Sequence, residues 1–351
     1  MIPTHPPEEP QMNILLATDG SRYATEAASF LRAHLDPSVS LRIEVVAVLD
    51  PPGHPPAPNG SPRLAEDTAR QRARAHRWLE DAREKLGSGL APARSRVLHG
   101  APEDVLVREA RDHDLVVAGV KGCGAAPFFE LGRVARALLR HADCSVLLVR
   151  DPRPLREKGN GHTSPGPTKR DPEGPPRFTV LVSTTDAAGD DPPAGWALLE
   201  PFALSRASLE VVTVVERATR SNGAGAENGA GLKDAGADGS GADRSGSSGA
   251  PTRRWLSRSA ADLRIPSGEP RWALLQGRPG AEIERRALET GADLIVVGAR
   301  RGTSPGAGPL GSTARELVWR APCSVLTVRH RQVVPAIQVT RATDLGAEVS
   351  A

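Results

Sequence analysis

HADCSVLLVR (141–150) and RAPCSVLTVR (320–329) decide how this chain is read. Seven of the ten positions are identical at an offset of 179. Upstream, LHGAPEDVLVREARDHDLVVAGVKG (98–122) parallels LQGRPGAEIERRALETGADLIVVGARR (275–301). A period this long is no solenoid repeat; it is the spacing of a duplicated domain of about 150 residues.

Outward from these stretches, each copy alternates strand and helix. In the first copy NILLATD (13–19) is a short apolar run, the signature of a strand buried on both faces. Residues 21–35 place Ala24, Ala27, Ala28, Leu31 and Leu35 at helical spacing. A strand at 41–49 follows, then a charged helix at 63–86 with Trp78, Leu79, Ala82 and Leu86 as its apolar stripe. The copy closes with strand 94–98, helix 103–111, strand 114–119, helix 133–140 and strand 145–149. The second copy repeats this order: FTVLVST (178–184), helix about 192–204, SLEVVTVV (208–215), helix 252–263, strand 271–275, helix 280–290, DLIVVGA (293–299), helix 312–319 and SVLTVR (324–329). Strands separated by helices pair in parallel. The expectation is α/β: two doubly wound, five-stranded parallel-sheet domains of Rossmann-like type.

The remaining segments carry a different composition. Residues 151–176 are Pro, Gly and charge, read as a linker between domains at 11–150 and 177–330. Residues 217–251 are mostly Gly, Ala, Ser and Asp, too poor in apolar surface to offset ordering entropy, and read as a disordered insert. Residues 1–10 and 331–351 are read as disordered ends.

Composition narrows the function. Net charge is +3, acids are mixed among the bases, and the aromatics are one Tyr, five Phe and five Trp. That argues against a nucleic-acid surface, which interleaves bases with aromatics. No run approaches the roughly 18 apolar residues of a membrane span, and the N-terminus does not read as a secretory signal. Cys123, Cys144 and Cys323 form no CxxC pair, consistent with a reduced, cytoplasmic setting. Cys144 and Cys323 read as buried small hydrophobes. The histidines lack metal-ligand spacing, and neither GxSxG nor HExxH occurs.

In a doubly wound sheet, ligands bind beyond the carboxyl ends of the strands where strand order reverses. In the first copy Asp19, Val48 and Gly119 fall there, with Gly122 in the following loop and Gly132 opening a helix. Glycines let backbone approach a ligand, and a helix N-terminus suits phosphate. Lys121 lies in the same loop, read as exposed ahead of a phosphate role.

ATDGS (17–21), DLVVAG (114–119), the Gly119-x2-Gly122-x9-Gly132 spacing and the closing apolar strand after a Cys resemble the universal stress protein family. The resemblance covers about 11–150 and 176–330. It implies a non-enzymatic stress-response protein. Nucleotide-binding members carry the three glycines followed by Ser or Thr, which hold ATP phosphates, Mg²⁺ being a companion; an Asp after strand one and a Val on strand two contact the adenosine end. Asp19, Val48, Gly119, Gly122 and Gly132 match, but the hydroxyl position is Arg133. There the guanidinium either contacts phosphate or faces solvent. In the second copy Gly298, Gly311, Ser312 and Val214 match, while Thr185 stands at the acid position with Asp186 one place later, and Arg301 stands at the second glycine with Gly302 just beyond. The first copy is the better adenine-nucleotide site and the second reads as degenerate. The alternatives are a scaffold with both sites degenerate, or a slow ATPase. The apolar strands 145–149 and 324–328 should not remain bare edges. The family pairs this strand across a dimer, which implies a pseudo-dimer within one chain, with pairing between two chains as the alternative.

Overall fold

The computed structural model describes residues 12–50, 62–90, 92–122, 131–150, 178–184, 199, 201–203, 207–215, 271–299 and 310–329. The expected ends at 1–10 and 331–351, the 151–176 linker, the 217–251 insert, the 252–263 helix and most of the 192–204 helix lie outside these residues.

The first half runs β1 (Met12–Thr18), α1 (Arg22–His34), β2 (Leu41–Leu49), α2 (Pro62–Leu86), β3 (Arg94–His99), α3 (Pro102–Glu109), β4 (Leu115–Gly119), α4 (Arg133–His141) and β5 (Ser145–Val149). The second contains β6 (Phe178–Thr184), β7 (Ala207–Val215), β8 (Arg271–Gln276), α5 (Pro279–Thr290), β9 (Leu294–Gly298), α6 (Ser312–Arg320) and β10 (Ser324–Val328). All ten strands join one sheet in the order β3-β2-β1-β4-β5-β10-β9-β6-β7-β8. Within each half every pairing is parallel and the order reverses beside the first strand, at β1–β4 and at β6–β9.

The apolar runs explain the sheet's position. β5 and β10 are buried at every residue, as central strands covered on both faces must be. On one face α1 lays Ala24, Ala27, Ala28 and Leu31 against the sheet, and α2 adds Ala75, Leu79, Ala82 and Leu86. α3, α4, α5 and α6 cover the other face with Leu106, Leu138, Ile283 and Leu317 among others. Both cores run across the boundary between the halves.

That boundary is a near-twofold seam. β5 and β10 pair antiparallel, with Leu147 opposite its own repeat counterpart Leu326. Strand 145–149 thus lies beside 324–328 within one chain. Each strand is followed by an arginine that crosses the seam. The Arg150 N–H donates to Ser324 Oγ (3.3 Å), and the Arg329 N–H to Ser145 Oγ (3.0 Å). The Arg150 guanidinium donates to the Val318 carbonyl near the end of α6 (2.7 Å). That of Arg329 donates to the Leu139 and Ala142 carbonyls at the end of α4. Each arginine therefore satisfies carbonyls that the other half's last helix cannot bond internally, and sets a cation at the negative end of its dipole.

A second reciprocal contact lies at the end of α1. Leu35 bridges Phe202, while the Asp36 N–H donates to the Pro201 carbonyl (2.8 Å) and the Ala203 N–H to the His34 carbonyl (2.7 Å). The His34 ring stacks on Phe178 at 3.9 Å, and Phe30 and Phe202 also flank Phe178. Burial holds His34 down from 6.5 to about 4, so its ring is neutral at neutral pH.

One buried charge is neutralised differently in each half. Glu44 on β2 meets Arg96 of β3, which also reaches Glu109 of α3, and His113 lies 3.4 Å from Glu44. The β7 counterpart, Glu210, accepts from Arg286 of α5 (2.8 Å). A buried carboxylate needs a partner, but the cation can come from the neighbouring strand or from the covering helix.

Candidate functional site

β1 ends at Thr18, which puts Asp19 just beyond the sheet. There the chain must reverse into α1 within three residues. Asp19 Oδ1 accepts from the Ser21 N–H (2.9 Å), Gly20 takes φ +70°, and Ser21 Oγ caps the helix by accepting from the Ala24 N–H (3.2 Å). An Asx turn followed by a Ser cap is the local chemistry that D-G-S supplies. Gly20 has a second constraint: a Cβ there would lie 2.0 Å from the Trp78 ring of α2. Trp78 therefore roofs this turn, with the Arg74 guanidinium 5.0 Å from its ring centre.

The other expected residues gather around Asp19. Val48, next to the end of β2, is half-buried against the second core. Gly119 ends β4; a Cβ on it would lie 2.6 Å from Tyr23 Cβ and 2.7 Å from its backbone carbon, so glycine is what lets α1 approach β4 this closely. A Cβ on Gly122 would lie 2.5 Å from Asp19 Oδ2. The carboxylate thus faces the glycine loop. Gly132 closes the loop: its N–H donates to the Val120 carbonyl (2.9 Å), and its Cα–H face lies against Lys121 and Gly122. It is the N-cap of α4 and offers no side-chain cap, so the first-turn N–H groups are not consumed by a capping side chain, unlike those of α1. Residues 123–130, including Cys123, lie outside the described residues.

Arg133, at the first position of α4, is well exposed and pairs with Glu103 of α3 at 3.4 Å. In the second half Gly298 ends β9, Gly311 is the N-cap of α6 without a side-chain cap, and Ser312 opens the helix, exposed. The Ala299 N–H donates to Val328 (2.7 Å) as Val120 does to Val149 (3.0 Å), so the two edges share a backbone frame. The contacts differ. Among the described residues a Cβ on Gly298 or Gly311 would meet nothing within 4 Å. Thr185, Asp186 and Arg301 lie outside those residues. Val214, equivalent to Val48, is likewise half-buried against the second core.

Tyr23, Trp78 and Glu103 are the contributors that sequence reading does not single out. Tyr23 packs on Gly119, Trp78 on Gly20 beside Asp19, and Glu103 pairs with Arg133, each from a separate helix, and no local motif marks such a contact. The cysteines keep a structural role: Cys144 and Cys323 are buried beside the central strands, and burial pushes the Cys323 thiol up to about 12. Among the described residues no cluster of His, Cys, Asp or Glu could by itself hold a metal ion, and no helix is long and apolar enough to cross a membrane.

The model of the universal stress protein family matches the chain twice, at residues 12–150 and 178–329. A universal stress protein of Thermus aquaticus is 32% identical over 139 residues, covering 39% of this chain and 97% of that protein. The crystal structure of a universal stress protein from Archaeoglobus fulgidus aligns over 90% of this chain and 98% of its own, at 15% identity and a TM-score of 0.56, a likeness of fold. Both matched segments carry the same strand order and the same glycine-capped final helix. The chain therefore belongs to the universal stress protein family, as a tandem member with two family domains in one polypeptide.

Proposed function

We propose that the protein is a non-enzymatic, nucleotide-responsive stress protein that binds ATP in its first half, the second half being a degenerate site with a mainly structural role. The observation that carries this is the apposition of Asp19 and Gly122 where the strand order reverses. Asp19 and Val48 stand at the adenosine end of the edge. The Asp19 carboxylate accepts from ribose hydroxyls, and Gly122, Gly132 and the N-terminus of α4 take the phosphates. A Cβ at Gly122 would overlap the Asp19 carboxylate, so glycine is what lets the loop backbone and the acid stand side by side here. Mg²⁺ comes with the phosphates rather than in a protein-only site, because the described residues supply no ligand cluster. Arg133 stays with Glu103 at the rim. A cytoplasmic setting belongs to the same reading.

Titration calorimetry with ATP and Mg²⁺ tests it. Saturable heat that Asp19→Ala weakens is the expected result; no heat at millimolar ATP sinks it. A second reading, a scaffold with both sites lost, is favoured by the Arg133–Glu103 pair, which puts a committed cation where the family has a hydroxyl. An unchanged melting temperature on adding ATP is its signature.

A further inference from the structure

β3 is one edge of the sheet, and among the described residues no strand lies beyond it. The Ala93 N–H donates to Ile43 on β2 (2.8 Å). Backbone direction alternates along a strand, so the N–H groups of Arg94, Arg96 and Leu98 face the open side. Beside this edge, α2 and β3 enclose a groove of about 510 Å³. Its floor is Leu79 and Val97, and its polar lining is Arg72, His76, Glu80, Ser95 and His99. Arg72, His76, Ser95 and His99 are exposed. α2 carries four arginines between residues 70 and 77, with no acid among them. On the other face of the strand Arg94 is exposed, whereas Arg96 is held by Glu44 and Glu109.

We propose that this edge accepts an extended acidic peptide as an added strand, whose carboxylates meet Arg72, His76 and His99 in the groove. Strand addition uses the unpaired backbone for affinity and the groove for selectivity. Side chains of the added strand alternate between the two faces, so acidic residues at every second position enter the groove together. The cations that attract such a strand oppose pairing with a second copy of β3. Among the described residues the groove is lined by no Phe, Tyr or Trp, so the larger stacking platforms that single-stranded nucleic acid uses for its bases are missing from it. Glu80 lies in the same lining and repels carboxylates at its end of the groove.

The test uses the full chain and a fluorescein-labelled peptide of alternating valine and glutamate. Saturable binding with a Kd on the order of 10 μM is expected. A valine–lysine peptide should bind at least about tenfold more weakly, and so should the acidic peptide on an Arg72→Glu protein, while Arg72→Lys retains it. Hydrogen exchange in the unaltered protein should slow at Arg94, Arg96 and Leu98 on binding, and hardly change at Ser95 and Val97. Four outcomes overturn the proposal. They are equal binding of a peptide N-methylated at alternate amides, equal binding of the lysine peptide, displacement by single-stranded DNA at matched charge, and no slowing at the outward amides.

Discussion

The two edges where the strand order reverses share a backbone frame, and they differ in the contacts that the described residues make with it. In the first half Gly20, Gly119 and Gly122 each lie against another part of the chain: Trp78, Tyr23 and Asp19. In the second half Gly298 and Gly311 stand open among the described residues. The glycines of the first edge are demanded by packing as well as by any ligand. Those of the second meet no neighbour among the described residues. A glycine motif is therefore weaker evidence for a ligand at the first edge than its completeness implies, and the Asp19 carboxylate facing Gly122 is the stronger evidence.

Paired substitutions break or sharpen this contrast. The largest effect is expected from Gly119→Ala, whose methyl must displace the start of α1. It should cost about 3 kcal/mol, while the equivalent Gly298→Ala stays within about 0.5 kcal/mol. Urea unfolding of both variants measures this; equal losses would erase the contrast.

The seam supplies the next comparison, because its reciprocal bonds make Pro201, which does not titrate, the counterpart of His34. Unfolded histidine takes a proton near pH 6.5, and folded His34 refuses it until about 4. Stability from this group is therefore whole above pH 6.5 and falls as pH drops toward 4. The full shift corresponds to about 3 kcal/mol, and about 2 kcal/mol after allowance for the ring's residual exposure. His34→Phe, which preserves a ring against Phe178, should flatten the melting temperature over this window. An unchanged pH profile would remove His34 from the acid response.

At the proposed nucleotide site, Asp19→Ala should weaken ATP about tenfold, about 1.4 kcal/mol, with Ser312→Ala silent in the same calorimeter. Loss from Ser312→Ala instead would reverse the assignment of the two halves. The smallest effect is expected at Arg133. It is exposed and paired, so Arg133→Ala should change ATP affinity by no more than about 0.5 kcal/mol. A larger loss would place the guanidinium on the phosphates.

Much of this architecture is legible in the sequence, because it is written in local patterns. The apolar runs 12–18, 41–49, 115–119 and 145–149 mark strands by burial alone, and the repeated CSVL and LVVAG/LIVVG segments reveal the duplication. Asp19 and Gly132 stand out as an acid and a glycine at element boundaries. What stays hidden depends on partners far along the chain. Trp78 is legible as one member of an apolar stripe, yet nothing near it says that its ring covers Gly20, fifty-eight residues earlier. The Arg133–Glu103 pair and the Arg96-for-Arg286 exchange around Glu44 and Glu210 are invisible for the same reason. Periodicity assigns a side chain to a face, not to a neighbour.

The seam between β5 and β10 carries one asymmetry. Thr327 donates its hydroxyl to the Val146 carbonyl (3.1 Å). Its repeat counterpart is Leu148, which lies opposite Val325 and has no hydroxyl to give. Two identical chains meeting at this strand would carry two threonines or two leucines, since each substitution would appear twice. A single polypeptide holds one threonine and one leucine across the axis. Its halves are thus a matched left and right, and either can drift in sequence without forcing the same change on its twin.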